Sequence, residues 1–407
     1  MWILRLILDL LVILVLFLLF GCTGDPDRGE LILAGIPSPS LAGSLLENSG
    51  RQPAMVYLPA AYRAGGDPFP VLYYLPGFTT DVTEYLDQSF QGMNLRITMD
   101  EMIRLGRIRP MIVVVVNGRN DLGGSFYVNS PVTGRWEDFV VRDVVGYVDA
   151  TWRTFPEAGA RGLAGDSMGG FGAVNLALKH PDIFGSVYAM SPGLAARDGV
   201  IREWLMADEE QVRGDLSAIQ GLRSLPESEA RERIPQLIES LYAERTLKST
   251  LHGFLFAYAA AFAPDPAAGP PWINYPFEVR DGELEVVPKA MHRYDGGFGA
   301  LEEKVAAYVA QPARLRAIAL DYGRADRFGW IPEGTERLAA LLGEAGIDCD
   351  VRPHRGSHIG SLRFRFEYEL LPFFSKTFVF PDGATPSVRS ALGESPVTSQ
   401  FTWEDPT

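Results

Sequence analysis

The stretch Ala164-Gly165-Asp166-Ser167-Met168-Gly169-Gly170 decides the fold, because it places one serine among glycines where two predicted elements meet. The preceding Ala160-Arg161-Gly162-Leu163 has the length and partly apolar character of a short strand. After the stretch, Phe171, Val174 and Leu178 recur at the spacing of a buried helix face. A strand, a sharp turn carrying serine and a helix together form the setting of a nucleophile elbow. Glycines suit this turn because strand and helix approach too closely there for side chains.

This pattern is weak by itself. With glycine at 42 of 407 positions, a chance Gly-x-Ser-x-Gly somewhere in the chain has odds of about one in five. The 47% of hydrophobic residues can form a sizeable core, and the length suits an α/β fold with an insertion. The net charge of −14 argues against a nucleic-acid partner. The role of the serine therefore depends on what else the chain supplies.

The N-terminus predicts export. Residues 1–20 form one apolar run with Arg5 near its start, and the run ends in Leu19-Phe20-Gly21-Cys22. A basic start and an apolar middle are typical of a signal peptide, and Gly21-Cys22 resembles a lipobox in which Cys22 is lipidated. Phe20 departs from the usual small residue, and about 20 apolar residues also suit an uncleaved membrane anchor. Both alternatives place the rest of the chain in the cell envelope.

Strand-like and helix-like segments alternate along most of the chain, which predicts an α/β fold with a mainly parallel sheet and helices on both faces. Strands are predicted near residues 30–33, 54–58, 69–75, 111–116, 160–163, 186–190, 315–320 and 349–351. Helices are predicted near residues 82–105, 136–152, 171–180, 333–344 and 362–371. We expect Pro372 to stop the last of these helices.

The alternation breaks between residues 193 and 300, which we interpret as an inserted helical cap. Within the cap, a charged helical sequence over residues 227–245 is expected to be interrupted at Pro235. The predicted organisation is a signal peptide or anchor at 1–22, a tether at 23–28, an α/β core at 29–192 and 301–380, the cap at 193–300, and a polar, disordered tail at 381–407.

A serine nucleophile needs a histidine as base, and the chain has five. His180 ends the helix after the elbow and suits a cation at a helix C-terminus. His252 lies in an apolar helical stretch and is expected to be packed there. His292 comes before the sheet resumes, too early to follow a catalytic acid. These three histidines are therefore set aside.

His354 and His358 remain, in a loop after a late strand. His358 is the better base because it lies in Gly-Ser-His-Ile-Gly just ahead of the last helix, whereas His354 is still near the strand end. Their spacing of four would suit a metal on a helix, but Pro353 and Gly356 argue against a helix here. We therefore predict no metal site.

The acid is expected after the strand that ends at Leu320. Asp321 stands at the strand terminus, whereas Asp326 lies in the loop beyond it and can reach a histidine loop, so Asp326 is preferred. The alternative is a solvated loop acid paired with Arg324 or Arg327.

The oxyanion that forms during attack on a carbonyl needs hydrogen-bond donors. One expected donor is the N–H of Met168, directly after the serine. The second is the N–H of Phe78, in the loop Leu75-Pro76-Gly77-Phe78 after an early strand.

With these residues in place, the chain resembles the esterase D family of α/β-hydrolases, which includes S-formylglutathione hydrolases, feruloyl and acetylxylan esterases, enterochelin esterases and mycolyltransferases. The resemblance covers most of residues 29–380 outside the cap. Its motifs are Val56-Tyr57-Leu58-Pro59 with Tyr62, Pro70 to Gly77, Gly124 to Ser130, Gly165 to Gly170, Pro181 to Phe184 and Gly356-Ser357-His358. Pro76 departs from the histidine that many relatives carry before the glycine.

The resemblance implies an α/β-hydrolase fold and a substrate cleft bordered by the loop from Ser125 to Trp136, with Tyr127, Asn129 and Trp136 as cleft residues. The expected function is an exported serine esterase that uses Ser167, Asp326 and His358 on a small-molecule, glycan or lipid ester, without a cofactor. Two alternatives stay open. The acyl group could pass to an envelope sugar or lipid, or the chain could be an envelope binding protein without catalysis.

Overall fold

The computed structural model describes residues 25, 27–86, 91–244 and 247–381, the side chains of 247–249 excepted. The predicted signal peptide or anchor, its Cys22 and all but the first residue of the predicted tail lie outside these ranges. None of the helices within the ranges combines the length and the hydropathy that a bilayer span requires.

Eight strands form one sheet in the order β1-β2-β4-β3-β5-β6-β7-β8. Among them, β2 alone runs antiparallel to its neighbours, and the other adjacent pairs are parallel. This is the predicted α/β-hydrolase fold. The strands are β1 (Glu30–Pro37), β2 (Arg51–Leu58), β3 (Val71–Leu75), β4 (Ile112–Val116), β5 (Arg161–Asp166), β6 (Ser186–Met190), β7 (Ala317–Gly323) and β8 (Asp350–His354).

Helices cover both faces of the sheet, and apolar clusters fill the space on each side. The central strands β3, β4 and β6 are buried along their whole length, which explains their continuous apolar sequences. The helices of the core are α1 (Leu95–Arg104), α2 (Trp136–Asp138, Phe139–Val144 and Val145–Thr151 in succession), α3 (Met168–Lys179), α9 (Leu301–Val309), α10 (Trp330–Glu344) and α11 (Leu362–Arg365, Phe366–Leu370 and Leu371–Thr377 in succession).

The described part of residues 193–300 contains five α-helices, a 3₁₀ turn (Pro266–Ala268) and a small hairpin, Phe277–Arg280 with Glu283–Val286. Aromatic rings join this segment to the core, because Phe126 lies 5.3 Å from Phe254 and 5.7 Å from Phe298 between ring centroids. Ser130 Oγ also donates to the carbonyl of Ala260 over 2.5 Å. The helices are α4 (Val200–Leu205), α5 (Glu209–Arg223), α6 (Glu227–Ala243), α7 (Leu247–Phe262) and α8 (Pro288–Phe298).

Three predicted helix boundaries are wrong. The helix expected from residue 82 is a short 3₁₀ turn (Val82–Tyr85), and α1 begins later, where the Asn94 side chain accepts from the Ile97 N–H over 3.0 Å. Helix α6 continues through Pro235, which is partly exposed, so that water can satisfy the carbonyl that proline leaves without a donor. Helix α11 continues beyond Pro372, which falls in the first turn after a π-helical segment, where a missing N–H is tolerated.

The turn between β5 and α3 is tightly packed. A Cβ on Gly169 would overlap the carbonyl oxygen of Leu75, and one on Gly165 would overlap the carbonyl of Gly169. Because the obstructing atoms are backbone atoms, no side-chain rotation can relieve the overlap. Glycine at both positions therefore allows α3 to begin directly against β3.

We predict that Gly169→Ala lowers the free energy of unfolding by roughly 3 kcal/mol, because the added methyl group forces α3 away from β3. The matched control is Gly146→Ala in α2, where a Cβ meets no atom within 4 Å. The control should raise stability by roughly 0.5–1 kcal/mol, as alanine in a helix does. Urea unfolding of both variants measures the difference, and equal effects would contradict the packing argument.

Candidate active site

Ser167 occupies the turn between β5 and α3 with φ +53° and ψ −115°, a conformation that residues other than glycine rarely adopt. Backbone hydrogen bonds hold it there: the Ser167 N–H donates to Met190 O over 2.9 Å, and the Gly193 N–H donates to Ser167 O over 3.2 Å. The turn therefore fixes the serine at the carboxyl edge of the sheet, where β5 and β6 both end.

Two hydrogen bonds connect the three predicted residues. His358 Nε2 lies 2.8 Å from Ser167 Oγ, and His358 Nδ1 lies 2.7 Å from Asp326 Oδ2. A neutral imidazole that donates to the carboxylate from Nδ1 accepts at Nε2, so the serine hydroxyl donates to the ring. The structure thus brings Ser167, His358 and Asp326 together from three separate loops.

Asp326 is buried and not solvated. Its side chain is fully shielded, and Oδ1 accepts from the Phe328 N–H over 2.9 Å while Oδ2 faces His358. Within the described ranges it forms no ion pair with Arg324 or Arg327, the alternative considered from the sequence. Phe328 also packs edge-on against the His358 ring, with 5.1 Å between centroids. Both neighbours restrict the imidazole to one orientation.

A second network holds the backbone of His358. Ser191 Oγ donates to the His358 carbonyl over 2.8 Å, and Arg365 Nη2 approaches the same oxygen at 3.4 Å. Arg365 Nη1 lies 2.5 Å from Asp321 Oδ1, and the Ser191 N–H donates to Asp321 O over 2.9 Å. Burial raises the pKa of Asp321 to about 6, against the lowering effect of Arg365. Asp321 was expected at the strand terminus, but β7 extends to Gly323 and Asp321 lies inside it, where it supports the backbone of His358 through Ser191 and Arg365.

His354 does not reach Ser167. Its Nδ1 accepts from the Gly356 N–H over 3.1 Å, and its Nε2 is buried without a partner among the described residues. Burial, and then the charge of Arg365, lower the pKa of His354 to about 4, so the ring is neutral near pH 7. No group of three His, Cys, Asp or Glu side chains in the described ranges is placed to hold a metal ion.

The two predicted oxyanion donors border the same cavity as Ser167. Met168 is the first residue of α3, so its N–H has no acceptor within the helix. Phe78 follows β3, in a loop held by the Thr79 N–H, which donates to Gly123 O over 3.0 Å. Tyr127 Oη donates to Pro76 O over 3.0 Å and fixes the preceding peptide. The loop is therefore held in place although Pro76 stands where many relatives carry histidine.

A cavity of about 240 Å³ opens beside Ser167. Its walls are mostly apolar and come from the sheet edge, from the loop after β7 and from the cap. Sequence reasoning missed most of the lining residues, because they come from segments far apart in the sequence that meet only in the folded chain. The apolar lining residues are Phe78, Met168, Leu205, Leu251, Phe254, Phe298, Phe328, Trp330, Ile331 and Ile359.

The structure corrects the three predicted cleft residues. Tyr127 and Trp136 are fully buried, and the Trp136 Nε1–H donates to Thr133 O over 2.7 Å. Asn129 is exposed, and its side chain bonds to Asp138. None of the three lines the cavity beside Ser167. Their loop packs against the wall of the cavity, because the Phe126 ring contacts Phe254 and Phe298, which line it.

Three large aromatic residues have a side chain that suits either packing or stacking on a sugar: Trp272 and Tyr275 of the cap, and Trp330 at the start of α10. Trp272 is buried under the guanidinium of Arg231, and Tyr275 donates to Asp215 over 2.7 Å. Both residues pack inside the fold. Trp330 is also buried, but it lines the cavity and stacks on Phe298 at 5.6 Å.

The sequence matches the model of a known protein family. The model described as putative esterase matches residues 49–278, more than half of the chain. The chain belongs to the putative esterase family. This match confirms the resemblance carried by the sequence motifs.

The putative esterase family includes relatives that this chain matches in part. An esterase of Mycobacterium tuberculosis is 33% identical over 156 residues, 37% of this chain and 31% of that protein. An endo-1,4-beta-xylanase/feruloyl esterase of Xylanibacter ruminicola is 28% identical over 152 residues, 36% of this chain and 20% of that protein. The chain thus spans less than a third of the length of these relatives.

Among solved structures, a fluorophosphonate-binding serine hydrolase of Staphylococcus aureus aligns with a TM-score of 0.51 and 15% identity, over 86% of this chain and 99% of that one. At this identity the similarity concerns the fold, and it supports the α/β-hydrolase architecture.

His354, the last residue of β8, should make the folded protein less stable in acid. Its pKa is about 4 in the folded chain and near 6.5 when unfolded, so between these values only the unfolded chain takes up the proton. The free energy of unfolding therefore falls as the pH decreases from about 6.5 to 4. His354→Asn keeps an acceptor for the Gly356 N–H but does not titrate. Urea unfolding at neutral pH and near pH 5 measures the change. The free energy of unfolding should fall less for the variant than for the parent, and an equal fall in both would contradict the role given to His354.

Proposed function

We propose that the chain is a serine esterase that hydrolyses carboxylic esters through an acyl-enzyme on Ser167. The observation that carries the proposal is the unbroken hydrogen-bonded series Ser167–His358–Asp326 at the rim of an apolar cavity. The membership of the putative esterase family supports the same reaction class.

In the first half of the proposed reaction, Ser167 Oγ attacks the ester carbonyl while His358 Nε2 takes the hydroxyl proton. The tetrahedral oxyanion accepts from the N–H groups of Phe78 and Met168, which are fixed before substrate binds. His358 then returns the proton to the leaving alcohol. Asp326 stabilises the imidazolium and keeps Nδ1 protonated, so that Nε2 always faces the serine.

In the second half, water attacks the acyl-enzyme and His358 takes its proton, so that the acid leaves and Ser167 is restored. The buried carboxylate of Asp326 accepts from two N–H groups, those of His358 and Phe328, and these hold it in place beside the imidazole. The apolar walls limit the water around the reacting carbonyl, which strengthens the electrostatic effect of the two amides.

We predict that Ser167→Ala and His358→Asn each slow the turnover of p-nitrophenyl butyrate by at least about 10³-fold. The matched control is His354→Asn in the same loop, which should keep the parent turnover because His354 lies outside the proposed machinery. A fluorophosphonate probe should label the parent protein and not Ser167→Ala, whereas Ser217→Ala, an exposed serine of α5, should label normally. Absence of labelling and of hydrolysis in the parent would favour a binding protein without catalysis.

We further propose that the protein is exported and anchored through its N-terminus. The support is the apolar run over residues 1–20 with Arg5 near its start and Cys22 behind a small residue. Lipidation of Cys22 after signal cleavage would attach the esterase to the outer face of a membrane.

Expression of the full chain in a bacterium fed an alkyne palmitate analogue tests this anchor. We expect the label in the membrane fraction, and we expect Cys22→Ser to lose it. The control Cys349→Ser should keep the label, because Cys349 lies within the fold. Membrane attachment without label in the parent would overturn lipidation in favour of an uncleaved anchor, and an unprocessed protein in the cytosol would overturn export.

A further inference from the structure

The loop between β7 and α10 does more than supply the acid. Asp326 and Phe328 both contact His358, and Arg327 stands between them in the sequence. Arg327 and Trp330 line the same cavity as Ser167. Because Arg327 is exposed and also borders the cavity, its side chain lies at the opening. The loop therefore places a positive charge at the entrance of a mostly apolar site.

The guanidinium of Arg327 has no carboxylate partner within the described ranges. It contacts the Phe328 ring, whose centroid lies 5.0 Å from the guanidinium carbon. Some other arginines of this acidic chain form ion pairs, for example Arg197 with Glu203 at 2.6 Å and Arg337 with Glu302 at 2.6 Å. Arg327 differs from them because it lines the cavity beside Ser167 and keeps its guanidinium available to a ligand.

Trp330 contributes apolar surface to the same wall. Its indole is 3% exposed and stacks on Phe298, with 5.6 Å between ring centroids. The guanidinium of Arg327 donates hydrogen bonds and accepts none. Arg327 therefore favours a ligand group that accepts hydrogen bonds, beside an otherwise mostly apolar wall.

We propose that Arg327 forms an anion subsite, and that the substrates are esters carrying a carboxylate or phosphate separated from the scissile ester by an apolar part. This inference rests on the esterase activity proposed above. A guanidinium binds a carboxylate or phosphate through paired N–H groups, and the apolar surroundings at Phe328 and Trp330 reduce competition from water. The walls contributed by Leu251, Phe254 and Phe298 accommodate the apolar part.

Matched substrate pairs test the subsite on either side of the scissile bond. On the acyl side, the mono-p-nitrophenyl ester of adipic acid is compared with the ester of the corresponding terminal amide. On the alcohol side, p-acetoxybenzoate is compared with p-acetoxybenzamide. We expect kcat/KM to favour the anionic member of at least one pair about tenfold, as a charge-assisted hydrogen bond at a partly exposed site allows. Salt should reduce the preference.

Arg327→Gln should abolish the preference by lowering kcat/KM for the anionic ester about tenfold, with the neutral partner unchanged. Arg327→Lys should retain part of it, because lysine keeps the charge and loses the paired geometry. The control is Arg324→Gln, an exposed arginine of the same loop that does not line the cavity. Equal rates for both members of both pairs in the parent, or a preference that survives Arg327→Gln, would overturn the subsite. Failure to hydrolyse any of the four esters would instead overturn the esterase activity.

Discussion

The contact of Gly169 with the carbonyl of Leu75 is the constraint on which the rest of the site depends. It lets α3 start directly beside β3, and this closeness places the Met168 N–H next to the loop that presents the Phe78 N–H. Ser167 stands directly before α3 with a positive φ, which the hydrogen bonds to Met190 O and from the Gly193 N–H sustain. The position of Ser167 and the closeness of the two N–H groups therefore both depend on how near α3 begins to β3.

Three buried aspartates at the same edge of the sheet show how partners determine the role of a carboxylate. Asp166 precedes the serine and accepts from Tyr74 Oη over 2.7 Å, and burial raises its pKa. Asp321 pairs with Arg365 and supports the His358 backbone. Asp326 faces the imidazole. Of the three, Asp326 is the one whose carboxylate is hydrogen-bonded to the imidazole beside Ser167. Its position in the loop beyond the strand end distinguishes it from the other two.

Much of the fold was predictable because its signals are local. The strands β3, β4 and β6 are buried on both faces and read as continuous apolar runs. Ser167, Asp326 and His358 could be chosen because few histidines compete and the order of the residues along the chain is restrictive. Helix ends were less predictable, since a side-chain cap by Asn94 and the π-helical turn before Pro372 depend on a few contacts. Ser191 and Arg365 escaped notice because their partners are distant in the sequence. Tyr127 and Trp136 were wrongly expected in the cleft, because their burial depends on neighbours that the sequence does not reveal.

The loop after β7 combines two properties of the site. Asp326 and Phe328 contact the imidazole of His358, and Phe328 and Trp330 line the cavity, all within a few residues. A substitution in this loop therefore changes the surroundings of His358 and the shape of the cavity together. Helix α7 lines the same cavity through Leu251 and Phe254 and lies outside the series Ser167–His358–Asp326. A mutant library meant to reshape the cavity and leave that series intact is therefore best aimed at α7.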